Sequence, residues 1–340
     1  MSEYKGIYRK LRIPTPNSHV WRVRFSMLCC ECFLSGEQPI AEICKEHEST
    51  LVFGNRQKII TIDCDYTKEE KHILKACIEY LVALTRDTKF EGKSIIKFHV
   101  LQPNQNPNFN QEKFKRGNIN FGLAHGMLGP LIALAKAHAK GFNIEGLKDG
   151  IEKVYHLYEV FQVVNEEKIP CWPGPMTVEE YWNGTCKPEN LHISSSWCYG
   201  NAGVMRGLQK VAGYMGWKEK EQAHVETMIR FFSQNIKTYD LYSPSLCHGF
   251  SSLVAIQMCA YSSYRNPKLL TNLERHIQKM IAGYRKNNEN ELNLTDIRNK
   301  SILIEGHLND LSILTGSVGI AITLLSLKRT TKTGKLLMID

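Results

Sequence analysis

Cys198, Cys247 and His248 each stand within two residues of a glycine that opens a helical pattern, in Trp197-Cys198-Tyr199-Gly200 and Leu246-Cys247-His248-Gly249. If the two segments meet, they offer three soft or borderline donors and leave a fourth position open. That is the ligand count of a catalytic zinc site rather than a structural one. A plainer reading stays open beside it, because free cysteine is among the most buried residue types and fills small gaps next to glycine. Neither a Cys-x-x-Cys pair nor a His-Glu-x-x-His helix is present, so local spacing does not establish a metal. The metal reading requires a fold that brings remote positions together.

A recurrence in the chain supplies one. Gly126-x-x-Gly129, Gly200-x-x-Gly203, Gly249 with Ser252 in the second place, and Gly316-x-x-Gly319 each precede an apolar helix rich in small residues. Amphipathic patterns alternate with them: Ile73, Leu74, Cys77, Tyr80, Leu81, Leu84 behind a Thr67/Glu70 capping box; Ile151, Val154, Tyr158, Phe161; Val225, Met228, Ile229, Phe232, Ile236; and Leu270, Leu273, Ile277, Met280, Tyr284. Glycine-opened apolar helices suit an inner ring, where missing side chains let backbones approach, and amphipathic helices suit an outer ring with one wet face. The uneven separations fit a closed repeat with variable loops better than an open solenoid. All the glycine turns then converge on one end of the barrel axis. Immediately before the first glycines stand His125, Tyr199, His248 and Thr315, and one place earlier Ala124, Cys198, Cys247 and Leu314. His125 is a candidate proton-transfer group, although an Ala-His-Gly sequence also suits a satisfied histidine at a helix start.

Composition narrows the class. The 340 residues with 43% hydrophobic content support one large domain or two ordinary ones. A charge of +9 is spread along the chain apart from an early cluster (Lys5, Arg9, Lys10, Arg12, Arg22, Arg24), and no interleaving of aromatic and basic residues points to nucleic acid. Eleven cysteines, an odd number with Cys29, Cys30 and Cys32 crowded together, make a poor disulfide framework and indicate a reducing cytosol. Cys64, Cys77, Cys171, Cys186 and Cys259 also fall outside the turns and are read as structural or incidental. No signal peptide is recognisable. The apolar run at residues 311–327 is short for a bilayer span and reads as a buried helix. Residues 88–120 turn polar around a strand pattern at 94–101, as an inserted subdomain or functional loop would.

Gly122-Leu-Ala-His-Gly-x-x-Gly-Pro, Trp197-Cys-Tyr-Gly-x-x-Gly and Cys247-His-Gly, in this order and at these separations, resemble the LanC lanthipeptide (lantibiotic) cyclase family over residues 75–328. The resemblance implies an all-α protein, an α/α toroid or double ring of helices, with a small strand-containing insertion at 88–120. Residues 67–340 would be the toroid cyclase domain and 1–66 a divergent or incomplete N-terminal part of it. It further implies zinc on Cys198, Cys247 and His248. The reaction implied is Michael-type addition of precursor cysteine thiols to dehydroalanine or dehydrobutyrine, giving lanthionine or methyllanthionine. Coordination deprotonates a thiol, and two protein thiolates already neutralising the ion would leave the substrate sulfur electron-rich. His125 would move the proton and Tyr199 would position the substrate carbonyl.

The family also implies partners: a leader-bearing dehydrated precursor, a dehydratase and an exporter, with action in the cytoplasm at the inner face of the membrane and no direct span. The Lys- and Asn-rich insertion is the expected contact for an acidic leader. Two departures stand out. Ser194 occupies the place of a family arginine four residues before the first cysteine, and no early acidic glycine turn precedes Thr67, with Asp63 and Asp65 the nearest substitutes. A catalytically impaired, peptide-binding subunit of the modification complex is therefore the alternative. A zinc hydrolase fits less well, because no carboxylate base sits in the turns.

Overall fold

The computed structural model describes residues 68–105, 109–191, 194–285, 294–299, 302–306, 312–327, 334 and 337–340. Thr67, Asp63, Asp65 and the cysteines at 29, 30, 32 and 64 lie outside them.

Four helices follow the glycine turns: α2 (Leu128–Ala139), α5 (Asn201–Met215), α7 (Phe250–Tyr264) and α9 (Ser317–Ser326). They pack side by side in that order, α2 on α5, α5 on α7 and α7 on α9. Behind them lie α1 (Lys68–Thr85), α3 (Leu147–Val160), α6 (Lys218–Phe232) and α8 (Leu273–Arg285), with α3 on α2, α6 on α5 and α8 on α7. The two layers are concentric arcs, and their burial follows the sequence pattern. Every residue of α2 from Leu128 to Ala137 and of α5 from Asn201 to Ala212 is buried, as an inner helix requires. Outer α3 buries only a stripe of Leu147, Gly150, Ile151, Val154, Tyr155 and Tyr158.

Glycine at the turns answers a steric demand. A Cβ on Gly126, Gly200 or Gly249 would overlap the carbonyl oxygen six residues upstream, of Asn120, Ser194 or Ser243 respectively. Those same carbonyls accept the amide next after each glycine: Met127 N to Asn120 O at 2.9 Å, Asn201 N to Ser194 O at 3.2 Å, Phe250 N to Ser243 O at 2.9 Å. One compact turn is thus used three times, closed by main-chain atoms and open only to a residue without a side chain.

Three expectations need correction. The strand expected over 94–101 is a hairpin, β1 (Asp87–Phe90) against β2 (Lys93–Ile96). Adjacent Ile95 and Ile96 are both fully buried. Side chains alternate faces along a strand, so both are covered only where the hairpin enters the body, and there the chain turns, His99 N bonding Ile96 O at 3.0 Å. A second small sheet pairs β3 (Asn118–Asn120) with β6 (Pro175–Thr177), after the two-residue strands β4 (Val163–Val164) and β5 (Pro170–Cys171) and before the short helix α4 (Val178–Asn183). Ile236 and Leu270 belong to separate 3-10 turns, Ile236–Tyr239 and Pro267–Leu270, each opened by an asparagine whose side chain accepts an amide two residues on. Finally, α9 is buried on one face only: Gly319, Ile320 and Thr323 are inside, whereas Leu324 and Leu325 are 36% and 57% exposed. Among the described residues no helix is long and apolar enough to cross a membrane. The remaining strands, β7 (Leu294–Asn299) and β8 (Ile302–Gly306), form a hairpin between α8 and α9.

Candidate metal centre

The turns are joined to one another by their backbones. Ala124 N donates to Cys198 O at 3.1 Å, Cys198 N to Cys247 O at 3.3 Å, and Cys247 N to Leu314 O at 2.8 Å. These are the four residues two places before the first glycines, so a single thread of main-chain hydrogen bonds runs from turn to turn around the inner ring. It brings Cys198, Cys247 and His248 together, with one donor atom from each lying within 4.8 Å of the others.

Cys198 is buried at 6% exposure, while Cys247 and His248 are half-buried. The Cys198 thiol is held well below its ordinary range, first by the hydrogen bond from Cys247; burial opposes the shift, and His248 and Ser196 add to it. A buried sulfur that favours its thiolate is prepared for a cation. The donor set suits zinc: bonds of about 2.3 Å to sulfur place tetrahedral ligands about 3.8 Å apart, so atoms spread over 4.8 Å close on such an ion with shifts of about 1 Å. Among the described residues this is the sole cluster of three metal-ligating side chains.

His125 and Tyr199 stack beside it, ring centroids 5.3 Å apart and planes inclined by 28°. Tyr199 directly follows Cys198, and His125 directly follows Ala124, whose amide is bound to the Cys198 carbonyl. His125 is exposed and Tyr199 half-buried, so the imidazole stands at the mouth of the site. The stack is seated on Gly122, where a Cβ would lie 2.7 Å from Tyr199 Cδ1 and 2.9 Å from Cys198 O. Thr315, from the fourth turn, is exposed and bonds Ser312 through its hydroxyl at 2.8 Å.

Sequence reasoning missed Ser196, whose hydroxyl lies 3.7 Å from Cys198 Sγ, and Trp197, whose indole is tied to a distant segment. A serine two places before a cysteine carries no motif signal, and Trp197 reads as ordinary core. Cys171, set aside as incidental, has its sulfur bonded at 3.3 Å by Asn201, the first residue of α5. Ser194 contributes its carbonyl to the turn, as Asn120 and Ser243 do, so its main-chain role does not depend on its side chain.

The family model of lanthionine synthetase C-like proteins matches residues 52–338. Nisin biosynthesis protein NisC of Lactococcus lactis subsp. lactis is 27% identical over 179 residues, which are 53% of this chain and 41% of that protein. A solved structure of nisin cyclase superposes with a TM-score of 0.65 at 20% identity, covering 80% of this chain and 62% of that one. The chain thus spans less than two thirds of the length of the relatives it matches. The shared fold is the α/α toroid, to which the two layers of helices belong.

Proposed function

The chain belongs to the lanthionine synthetase C-like family, and from that premise we propose that it is a zinc-dependent cyclase that adds cysteine thiols of a dehydrated precursor peptide to dehydroalanine or dehydrobutyrine. The observation that carries the reading is the gathering of Cys198, Cys247 and His248 within 4.8 Å at the mouth, beside the His125–Tyr199 stack. The three would hold zinc, and the chemistry the ion supplies is to lower the pKa of a substrate thiol so that it reacts as the thiolate.

The other steps fall to the protein's own residues. Net, the cysteine S–H adds across the carbon–carbon double bond: sulfur bonds the β-carbon, the π pair moves to the α-carbon as an enolate, and one proton passes from sulfur to that carbon. No atom is gained or lost. His125, exposed and stacked, takes up the proton or delivers it. Tyr199, held between His125 and Gly122, presents its phenol to the carbonyl on which the enolate charge develops. Residues 67–340 form the cyclase domain, with 88–120 as the extension that meets the leader. From the family resemblance we infer that it acts in the cytoplasm, at the inner membrane face beside a dehydratase and an exporter.

The test is a zinc assay coupled to thiol alkylation and mass spectrometry on a panel of dehydrated, leader-bearing peptides with one cysteine and one dehydroalanine. One zinc per chain and enzyme-dependent loss of alkylatable thiol without mass change are expected. Zinc and peptide binding without any loss of thiol would replace this reading with that of a peptide-binding subunit, for which Ser194 is the specific motive.

A further inference from the structure

We propose that residues 337–340 clamp the first metal-holding turn, and that Trp197 is the positioning residue through which the clamp sets Cys198. The proposal rests on the zinc reading above. Trp197 immediately precedes Cys198, is buried, and donates its indole N–H to the carbonyl of Leu337 at 2.7 Å, across 140 residues of sequence. From there the segment runs along α5. Arg206 Nε bonds Ile339 O at 2.8 Å, and one helical turn further Lys210 Nζ bonds Asp340 Oδ1 at 3.0 Å and the Asp340 carbonyl. Leu337, Met338 and Ile339 are buried, and the segment folds back on Gly334, whose carbonyl accepts Ile339 N at 2.8 Å.

The anchors are costly groups to bury. Arg206 is 1% exposed with its other donors on Gln209 and on Ser263 Oγ, and burial lowers the Lys210 pKa to about 8 even with Asp340 beside it. Buried cations hold their place only where their donors are met, so the segment is fixed to α5 and cannot drift. Trp197 is fixed on its other side too, because a Cβ on Gly203 would overlap the Trp197 carbonyl oxygen. The residue before the ligand is therefore pinned at its backbone by the helix and at its indole by the clamp. The backbone that carries Cys198 is thereby held on the side of its preceding residue. This is the outer-shell control of a ligand that metal centres use, supplied here by a remote main-chain carbonyl.

The experiment is cobalt(II) and zinc binding by the full chain, read as the visible cobalt spectrum and as zinc affinity against a chromogenic chelator. Trp197→Phe keeps the packed ring and loses the N–H; about tenfold weaker zinc binding and a shifted cobalt spectrum are expected. Trp172→Phe is the matched control, since Trp172 gives a buried indole bond of 2.8 Å to Tyr158 O and should lower the melting temperature without touching either metal readout. Asp340→Asn should shift the cobalt spectrum in the same direction as Trp197→Phe, by less. The clamp is overturned if Trp197→Phe matches wild type in both readouts, or if Trp172→Phe moves them equally. A wild-type protein that takes up neither metal sinks the zinc reading itself, so the two failures are distinct.

Discussion

The amide of Cys247 donates to the carbonyl of Leu314 at 2.8 Å, so the turn that offers no ionisable side chain still places one of the three metal-ligating candidates. Gly319 makes that approach possible: a Cβ there would overlap Ile313 O and lie 2.9 Å from Leu246 Cβ, with both neighbours adjoining the bonded pair. Gly319→Ala should therefore lose about 1–3 kcal/mol of stability through overpacking and weaken zinc binding as well. Chemical denaturation and zinc titration of the same sample check this. Loss of stability with unchanged metal affinity would show that Leu314 does not position Cys247.

Removing a donor should act on the metal directly. Cys247→Ala and Cys198→Ser are expected to purify with well under one zinc per chain, and cyclisation should fall at least about a hundredfold. Retention of both zinc and ring formation by Cys247→Ala contradicts the proposed centre.

The His125–Tyr199 stack separates two roles. His125→Asn should keep zinc and lose about 10²- to 10⁴-fold in rate, the range for a lost proton-transfer group. Tyr199→Phe preserves the stack and should lose less than Tyr199→Ala. Single-turnover rates at saturating peptide decide the order, and equal losses for the two tyrosine variants would assign everything to the phenol.

Acid should destabilise the body of the protein independently of the metal. His224, bonded through Nε2 to the Tyr155 hydroxyl at 2.7 Å, and His276, bonded through Nδ1 to Gln257 Oε1 at 2.9 Å, are each lowered to about 4 by burial. Both are neutral in the fold, while the unfolded chain protonates them near 6.5. Their contribution is complete above about pH 6.5 and is lost as pH falls toward 4, by of order 3 kcal/mol each at most. Melting temperature against pH on metal-free protein should show this slope, and His224→Gln should flatten about half of it.

Ser194→Arg tests the departure from the family pattern. The residue closes its turn through its carbonyl, so a longer side chain leaves that bond intact. A folded variant with roughly tenfold faster cyclisation is expected if a cation there stabilises the developing enolate. An unchanged rate would free Ser194 of blame for any sluggishness in the wild type.

The helices were legible because burial imposes a period. Ile151, Val154 and Tyr158 form the inward stripe of α3, and the mostly apolar, small-residue character of α2 and α7 marks them as inner. Ends were less legible: Ile236 carries the period beyond the end of α6 and Leu270 anticipates the start of α8, yet each belongs to a 3-10 turn capped by Asn235 or Asn266. The hairpin at 87–96 was half seen, since adjacent Ile95 and Ile96 disguise the alternation of a strand.

The sequence by itself determined which residues are candidates for the chemistry and that four glycine turns repeat, because residue type and spacing are local properties. That Cys198, Cys247 and His248 lie within 4.8 Å was decided only in three dimensions. The Cys198–Cys247 and Cys247–Leu314 bonds join backbone atoms, which every residue has and no side chain advertises. The grip of Leu337 on Trp197 is of the same kind, a carbonyl chosen by packing alone.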